Sequence, residues 1–292
     1  MTNLEEIFVN KKVIISSDST CDLPAELLER YSIVTVPLHI TIGGNTYDDL
    51  VDIKPDDIYA HFDKTGELPK TSAVNMQEYI DKFKPFVDDG CEIVHINIGS
   101  AISTSHQQCK LAAKELGNVY AVDSCSLSTG TGLLVLEAVE MAEKGMSGAE
   151  IAEKLSKMTD NIRCSFIVDK LDYLRAGGRC SAVAMMGANL LSIKPCIEVH
   201  NEDGSMSMGK KYRGKLSKVL NQYVNDKISE CSGVEKKRAF VTHAGISDET
   251  LDELMNLVKG MNCFDEVIPA RASCTISSHC GPQTMGLIFL TV

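Results

Sequence analysis

The chain has 292 residues, of which 44% are hydrophobic and 24% are charged, and it carries a net charge of -11. A chain of this length usually folds as two domains, because a single hydrophobic core stops growing at about 250–300 residues. The acidic balance argues against a nucleic acid or an anionic membrane surface as partner, so an anionic ligand has to be bound by local groups.

The cysteines and the N-terminus indicate the compartment. The 11 cysteines are odd in number and include no C-x-x-C pair, which predicts free thiols in a reducing, cytoplasmic environment. The first residues, MTNLEEIFVNKK, are acidic early and lack the apolar core of a signal peptide. No apolar run reaches the roughly 18 residues that a membrane-spanning helix needs. The longest candidate, residues 183–193 (VAMMGANLLSI), predicts a buried helix or the wall of a pocket.

Strand-like and helix-like segments alternate through the first half, which is typical of a parallel α/β sheet. The predicted strands are residues 13–16, 34–42, 91–98 and 119–122. The predicted helices are residues 24–30, 75–86, 103–116 and 126–143, and Asn75 and Glu78 resemble an N-terminal cap pair. We expect an N-terminal α/β domain over residues 1–160.

The pattern changes after a boundary near residues 158–162. The predicted elements are then a strand at 164–168, a short helix ending at 176–178, a hairpin turning at 201–204, helices at 213–229 and 248–259, and strands at 239–243, 272–277 and 285–292. This order predicts a second domain over residues 161–292, in which helices pack on a mixed sheet.

The segment VIISSDSTCDLP, residues 13–24, is the first candidate for ligand binding. A β-branched run breaks into small polar residues from Ser16 to Thr20 and then into a helix that begins after Pro24. Open α/β sheets bind ligands at the carboxyl ends of their strands. The sequence therefore predicts a small molecule bound at this loop.

A second candidate is the serine-rich turn GSAISTS, residues 99–105, which joins a predicted strand to a predicted helix. Hydroxyls and free amides at a helix N-terminus suit a carboxylate or a phosphate. The alternative is that Ser103, Thr104 or Ser105 only caps the helix, which these residue types favour. One capping hydroxyl still leaves others free for a ligand.

Two further loops carry polar groups. Thr71 and Ser72 follow Pro69-Lys70 and offer two hydroxyls, although a surface connector is the alternative interpretation. His279 lies in SSHCGP, interpreted as a strand end that enters a Gly-Pro turn. A histidine there could donate to an anion or transfer a proton, because its ordinary pKa is near physiological pH, or it could be purely structural.

Other chemistries have little support in the sequence. No G-x-S-x-G elbow, P-loop or strand-borne G-x-G-x-x-G is present, and His279 and Cys280 lack the spaced partners of a metal site, so no cofactor or metal is expected. Arg179 follows a glycine pair and Arg213 ends a cationic cluster, and in an acidic protein these residues could form a docking surface for an acidic or phosphate-bearing partner. The alternative, which the local pattern favours, is a helix C-cap and solvated side chains.

Together these segments resemble the DegV family of bacterial fatty-acid-binding proteins. The matching strings, in the family's order, are DSTCDLP, PKTS, GSAISTS, VDSCSLSTGTGLLVLEA, LDYLRAGGR with IKP, and SSHCGPQTMGL. The resemblance implies a two-domain α/β fold that buries one long-chain fatty acid in a tunnel, with the carboxylate between the domains. It also implies a binding subunit, not an enzyme, that presents this carboxylate to a separate ATP-using fatty acid kinase subunit, which makes acyl phosphate.

The resemblance also assigns residues. Thr71 and Ser103 would hydrogen-bond the carboxylate with His279 beside it, and Ser72 and Thr104 belong to the same two motifs. Arg179 and Arg213 match basic positions near the head group and the kinase-facing surface, and residues 183–193 are the candidate wall for the acyl tail.

Two alternatives remain open. The first is a hydrolase or acyl transferase with Ser103 as nucleophile and His279 as base, with Asp18 as the orienting carboxylate. The second is a protein–protein module that binds no ligand.

Overall fold

The computed structural model describes residues 12–180, 193–230 and 233–292. These residues form thirteen β-strands in three sheets, together with ten α-helices. No helix among them is both long and apolar enough to cross a membrane. The predicted tail wall at 183–193 lies outside the described residues except for its last position.

The first sheet is parallel and has four strands. They are β1 (Val13–Asp18), β2 (Val34–Val36), β6 (Glu92–Asn97) and β7 (Val119–Asp123), in the spatial order β2-β1-β6-β7. This confirms the predicted parallel α/β sheet of the first half, in which helices connect neighbouring parallel strands.

The second half of the strand predicted at residues 34–42 belongs to a separate, small antiparallel sheet. It contains β3 (His39–Ile42), β4 (Asn45–Asp48) and β5 (Lys70–Ser72), in the order β4-β3-β5. The prediction of one strand over residues 34–42 is therefore wrong, because β2 and β3 join different sheets. Pro37 lies between them and has no N–H for a ladder, which explains why the pairing ends there.

The helices of the first half agree with the sequence pattern at most positions. They are α1 (Ala25–Arg30), α2 (Pro55–Thr65), α3 (Met76–Asp88), α4 (Ser105–Leu116), α5 (Thr129–Glu143) and α6 (Gly148–Met158). The predicted cap pair is confirmed: Asn75 Oδ1 accepts from Glu78 N at 3.1 Å, and Glu78 Oε2 accepts from Asn75 N at 2.7 Å. Helices α2 and α6 were not among the predicted elements.

The second half forms a mixed sheet of six strands. They are β8 (Ile162–Ile167), β9 (Ile193–Val199), β10 (Met206–Arg213), β11 (Val234–Ala244), β12 (Glu266–Arg271) and β13 (Thr284–Thr291), in the order β10-β9-β8-β13-β11-β12. Only the β11–β12 pair is parallel. Helices α7 (Leu171–Gly177), α8 (Leu216–Glu230), α9 (Asp248–Gly260) and α10 (Cys274–Cys280) complete this half. The predicted mixed sheet and the two-domain α/β fold are confirmed.

One element of the second half was predicted wrongly. Residues 272–277 do not form a strand, because the chain turns into α10 after Ser273. Thr275 and Ile276 favour a strand locally, but the Ser273 side chain caps a helix by accepting from Ile276 N at 3.4 Å. His279 therefore lies in the last turn of a helix and not at a strand end.

Helix α5 lies between the two large sheets. Its residues from Thr129 to Val139 are all buried, and it packs against β1 and β6 as well as β8 and β13. A helix that is buried on every side is typical of a protein interior. Thr129 Oγ1 is 2.6 Å from Thr242 Oγ1 on β11, and the Lys237 ammonium of β11 is 2.5 Å from the Glu137 carboxylate of α5. The two halves of the chain therefore share this helix as part of one core.

Candidate functional site

A cavity of about 400 Å³ lies between the serine-rich turn, β5 and α10. Polar and apolar side chains both line it. The polar ones include Thr71, Ser72, Ser103, Thr104, Arg179 and His279, and the apolar ones include Leu38, Ile98, Leu127, Phe166, Leu174 and Ile276. The structure thus brings together six of the seven site residues predicted from the sequence. The first and last of these six, Thr71 and His279, are 208 residues apart in the chain.

Thr71 and His279 form a hydrogen bond that links the two halves at this cavity. Thr71 is on β5, where it pairs with Ile40 of β3, and its Oγ1 is 2.7 Å from His279 Nε2. Burial of the imidazole, together with the positive charge of Arg179, lowers the pKa of His279 to about 4. The ring is therefore neutral at physiological pH.

The two nitrogens of the His279 ring have different surroundings. His279 Nδ1 is buried and has no hydrogen-bond partner among the described residues. Nε2 shares a hydrogen bond with Thr71 Oγ1, and the tautomer of the ring decides which of the two groups donates. With the proton on Nε2 the ring donates, and the Thr71 hydroxyl proton is then free for an acceptor in the cavity.

Gly177, the last residue of α7, makes room for this ring. A Cβ at position 177 would lie 2.2 Å from His279 Nδ1 and 3.2 Å from Cε1 and Cγ. Any side chain there would displace the imidazole. Gly177, the first glycine of the AGGR string, therefore allows the His279 ring to approach the backbone of α7 closely. The sequence pattern predicted only that this glycine ends a helix.

The serine-rich turn is shaped by contacts to its neighbours. Ser103 Oγ accepts from Ser105 N at 3.2 Å and is 3.0 Å from Ser105 Oγ. Thr104, the N-cap of α4, makes no capping bond with its side chain. Ser103 thus has a local bonding role, as the alternative interpretation expected, and it also lines the cavity together with Thr104.

The two arginines have different surroundings. Arg179 is exposed, and its Nη1 donates to Gly177 O at 2.7 Å while its Nε lies 3.5 Å from Ile102 O of the serine-rich turn. It lines the cavity. Arg213 is exposed at the end of β10 and is not among the cavity-lining residues, so the structure does not bring it to the head-group position.

The loop from Ser16 to Thr20 is not an open ligand site, and that prediction is wrong. All five residues are buried, and the first three end β1. Ser17 Oγ donates to Ile96 O at 2.8 Å, and Ser19 Oγ donates to Asp49 Oδ2 at 2.9 Å. These hydroxyls and the loop's carboxylate are engaged inside the fold.

Asp18 supports the serine-rich turn instead of binding a ligand. Its Oδ2 accepts from Ile98 N at 3.0 Å, directly before the turn, and its Oδ1 accepts from Tyr79 OH at 2.7 Å. His95 Nε2 is 3.1 Å from the same Oδ1. Asp18 is bonded to these groups and does not orient His279, so the arrangement that a Ser103–His279–Asp18 hydrolase needs is not formed.

Two kinds of site residue were not predicted. The first comprises cavity-lining residues from strands and turns that follow no motif, such as Leu38, Phe166 and Met206. The second comprises Asp22 and Asp49, which hold the start of α10. Asp22 was visible as the second acid of DSTCDLP, but its partner lies 251 residues away. Within the described ranges, no three His, Cys, Asp or Glu side chains are grouped to hold a metal ion.

Comparison with known proteins gives one consistent result. The family model described as "Uncharacterised protein, DegV family" matches residues 12–292. A DegV domain-containing protein of Clostridium acetobutylicum is 31% identical over 285 residues, covering 96% of this chain and 99% of that protein.

Solved structures of similar fold lead to the same family. A fatty-acid-binding DegV family protein from Thermus thermophilus superimposes with a TM-score of 0.88 at 25% identity, covering 96% of this chain and all of that one. A stearic-acid-binding protein from Eubacterium ventriosum superimposes with a TM-score of 0.80 at 28% identity, covering 96% and 98% of the two chains.

Proposed function

The chain belongs to the DegV family, and from this premise we propose that it binds one long-chain fatty acid and presents the carboxylate to a separate ATP-using kinase subunit. The observation that carries the proposal is the cavity itself, which combines the Thr71–His279 pair with apolar walls. The fatty-acid binding of the Thermus protein and the stearic-acid binding of the Eubacterium protein support it.

The head-group end is proposed to be the polar lining. A carboxylate leaving water needs hydrogen-bond donors. We propose that the His279 proton is on Nε2, so that the Thr71 hydroxyl is one such donor, and that the Ser103 hydroxyl and the exposed Arg179 guanidinium are the others. Ser72 and Thr104 contribute further hydroxyls at the same place. A neutral His279 holds Thr71 in its donating orientation. Donation by hydroxyls leaves a carboxylate oxygen available to a phosphoryl donor.

The acyl tail is proposed to lie against the apolar walls. A smaller, mainly apolar cavity of about 30 Å³ shares Leu127, Phe166, Ile276 and Cys280 with the main one and extends towards β11 and β13. Each methylene that leaves water contributes about 0.8 kcal/mol. A tail directed from Thr71 towards this second cavity would be buried between the two halves.

The remaining parts of the proposal concern the partner and the organisation of the chain. Arg179 is exposed at the rim of the cavity and, with Arg213, would contact the kinase, which carries out the phosphoryl transfer. We place the protein in the cytoplasm, which the ten free thiols of the described residues support. We also propose the domain division at residues 1–160 and 161–292, directly before β8, the first strand of the mixed sheet.

The decisive experiment is mass spectrometry of lipid extracted from the purified protein, followed by titration of delipidated protein with palmitate. We expect about one equivalent of a long-chain fatty acid. Repeated extraction without any acyl chain, combined with no palmitate uptake, would refute the binding function. Acyl-phosphate formation that requires the chain, ATP and the kinase together tests the presentation step, while ester hydrolysis by the chain alone would favour the hydrolase alternative.

A further inference from the structure

The N-terminus of α10 is held by two buried carboxylates from the other half of the chain. Asp22 Oδ1 accepts from Ser273 N at 2.9 Å, and Asp49 Oδ1 accepts from Cys274 N at 2.8 Å. Asp49 Oδ2 is also 3.3 Å from Thr275 N. These N–H groups start the helix and have no partner within it, and negative charge is favourable at this end.

The second oxygen of each carboxylate is bound within the N-terminal half. Ser128 Oγ donates to Asp22 Oδ2 at 2.5 Å, and Ser19 Oγ donates to Asp49 Oδ2 at 2.9 Å. The side chains are buried, at 3% and 1% exposure. Neither carboxylate forms an ion pair with a described residue. Each carboxylate therefore joins the two halves of the chain through hydrogen bonds alone.

The other end of α10 carries the functional group. His279 is the sixth residue of this seven-residue helix, and its Nε2 contacts Thr71 of the N-terminal half at 2.7 Å. A helix rises about 1.5 Å per residue, so the two carboxylates and the imidazole are less than about 10 Å apart along this short helix. The position of α10 therefore determines whether His279 reaches Thr71.

We propose that Asp22 and Asp49 are positioning residues, which fix α10 against the N-terminal half and thereby set His279 to orient the Thr71 hydroxyl towards the bound carboxylate. This inference rests on the proposed fatty-acid function. It adds to the site two residues that do not touch the ligand. It also makes head-group binding depend on the charge of these two carboxylates.

The groups that face Asp22 make its charge sensitive to pH near neutrality. Burial raises its pKa to about 7, opposed by hydrogen bonds from Ser128 and Ser273, and the Asp49 carboxylate raises it further. The other titratable neighbours are the thiols of Cys21, Cys164 and Cys280, all neutral because burial raises their pKa values as well. Protonation of Asp22 removes the charge that holds the helix start, so palmitate affinity should fall as the pH decreases through about 7.

The test measures palmitate binding by equilibrium dialysis, below the concentration at which palmitate aggregates, between about pH 6 and pH 8. Asp22→Asn keeps the shape and one acceptor oxygen, so it reproduces the protonated carboxyl. We expect its affinity to match that of the wild type at the acid end and to be independent of pH. In Asp49→Asn one N–H loses its acceptor, and we expect roughly tenfold weaker binding, which corresponds to about 1.4 kcal/mol.

Two further variants separate positioning from general stability. Ser128→Ala removes a hydrogen bond that lowers the Asp22 pKa, so the midpoint of the pH profile should move to higher pH. Glu150→Gln removes a carboxylate acceptor from Ser147 N, 2.9 Å away at the start of α6, and should leave binding unchanged. The ¹⁵N signal of His279 Nε2 should shift in the Asp22 and Asp49 variants and stay unchanged in Glu150→Gln.

The outcomes distinguish this inference from the proposed function. Failure of the wild type to bind palmitate at any pH refutes the fatty-acid function. Palmitate binding by the wild type, combined with unaltered affinity and pH profile in the folded Asp22 and Asp49 variants, overturns the positioning role alone. An equal loss of affinity in Glu150→Gln would also overturn it, because the effect would then be one of stability in general.

Discussion

Replacing Gly177 with alanine should displace the imidazole at the centre of the site. The added Cβ would be 2.2 Å from His279 Nδ1, and ordinary contact begins at 3.4 Å, so the ring or the end of α7 must move by about 1.2 Å. The ring cannot move far towards Thr71, because Nε2 is already 2.7 Å from Oγ1. A movement in any other direction lengthens that bond or turns it out of line.

The expected loss follows from the hydrogen bond that the Thr71 hydroxyl would donate to the bound carboxylate, because His279 orients this hydroxyl. A hydrogen bond to a charged group contributes about 1.5–3 kcal/mol, and about 1.4 kcal/mol is a factor of ten in affinity, so Gly177→Ala should weaken palmitate binding at least roughly tenfold. The assay is titration of delipidated protein, with circular dichroism to show that the variant is folded.

Gly260→Ala is the matched control for this substitution. Gly260 ends α9, and a Cβ there meets nothing within 4 Å. Its palmitate affinity should be unchanged. Wild-type affinity in a folded Gly177→Ala protein would refute the argument that the close approach of α7 positions His279.

Three other predictions concern separate groups. Ser103→Ala should weaken palmitate binding roughly tenfold in the same titration, because one donor to the carboxylate is lost, and an unchanged affinity would remove Ser103 from the head-group site. His279 has a folded pKa of about 4 against an ordinary 6.5, so the unfolded chain takes up its proton first. The contribution of His279 to the free energy of unfolding should therefore fall with decreasing pH between these values, so the wild type should lose stability relative to His279→Gln over this range; an identical pH dependence of the two proteins in urea denaturation would contradict this. Arg213→Ala should load palmitate normally but form less acyl phosphate with the kinase, and an unchanged rate would remove its docking role.

Local patterns were sufficient for most elements of the fold. The Asn75–Glu78 cap pair predicted the start of α3, because both hydrogen bonds form within one turn of chain. The strands of the parallel sheet were predicted from their apolar runs. The region 272–277 shows where such patterns fail, since its β-branched residues favour a strand. Carboxylates more than 220 residues away in sequence complete a helix start there.

The candidate site was predictable only in part, for the same reason. Thr71, Ser103 and His279 could be proposed from motifs that the family resemblance placed together, and the structure arranges them around one cavity. The Ser16–Thr20 loop looked equally suited to a ligand, but it is buried, and its Ser17 and Ser19 hydroxyls bond to β6 and to Asp49, which the local sequence does not reveal. The role of Gly177 depends on a contact with a residue 102 positions later, and no periodicity encodes it.

Helix α5 has a consequence for how the molecule unfolds. Its buried apolar residues between Leu133 and Val139 belong to the same apolar cluster as Ile15 of the parallel sheet and Ile288 of the mixed sheet. Separating the halves would expose this helix to water on one side, whichever half retained it. Unfolding should therefore occur in one cooperative transition, and neither half should be stable when expressed alone. A protein divided in this way can open to exchange a lipid only by small adjustments at the cavity, because wide separation of its halves amounts to denaturation.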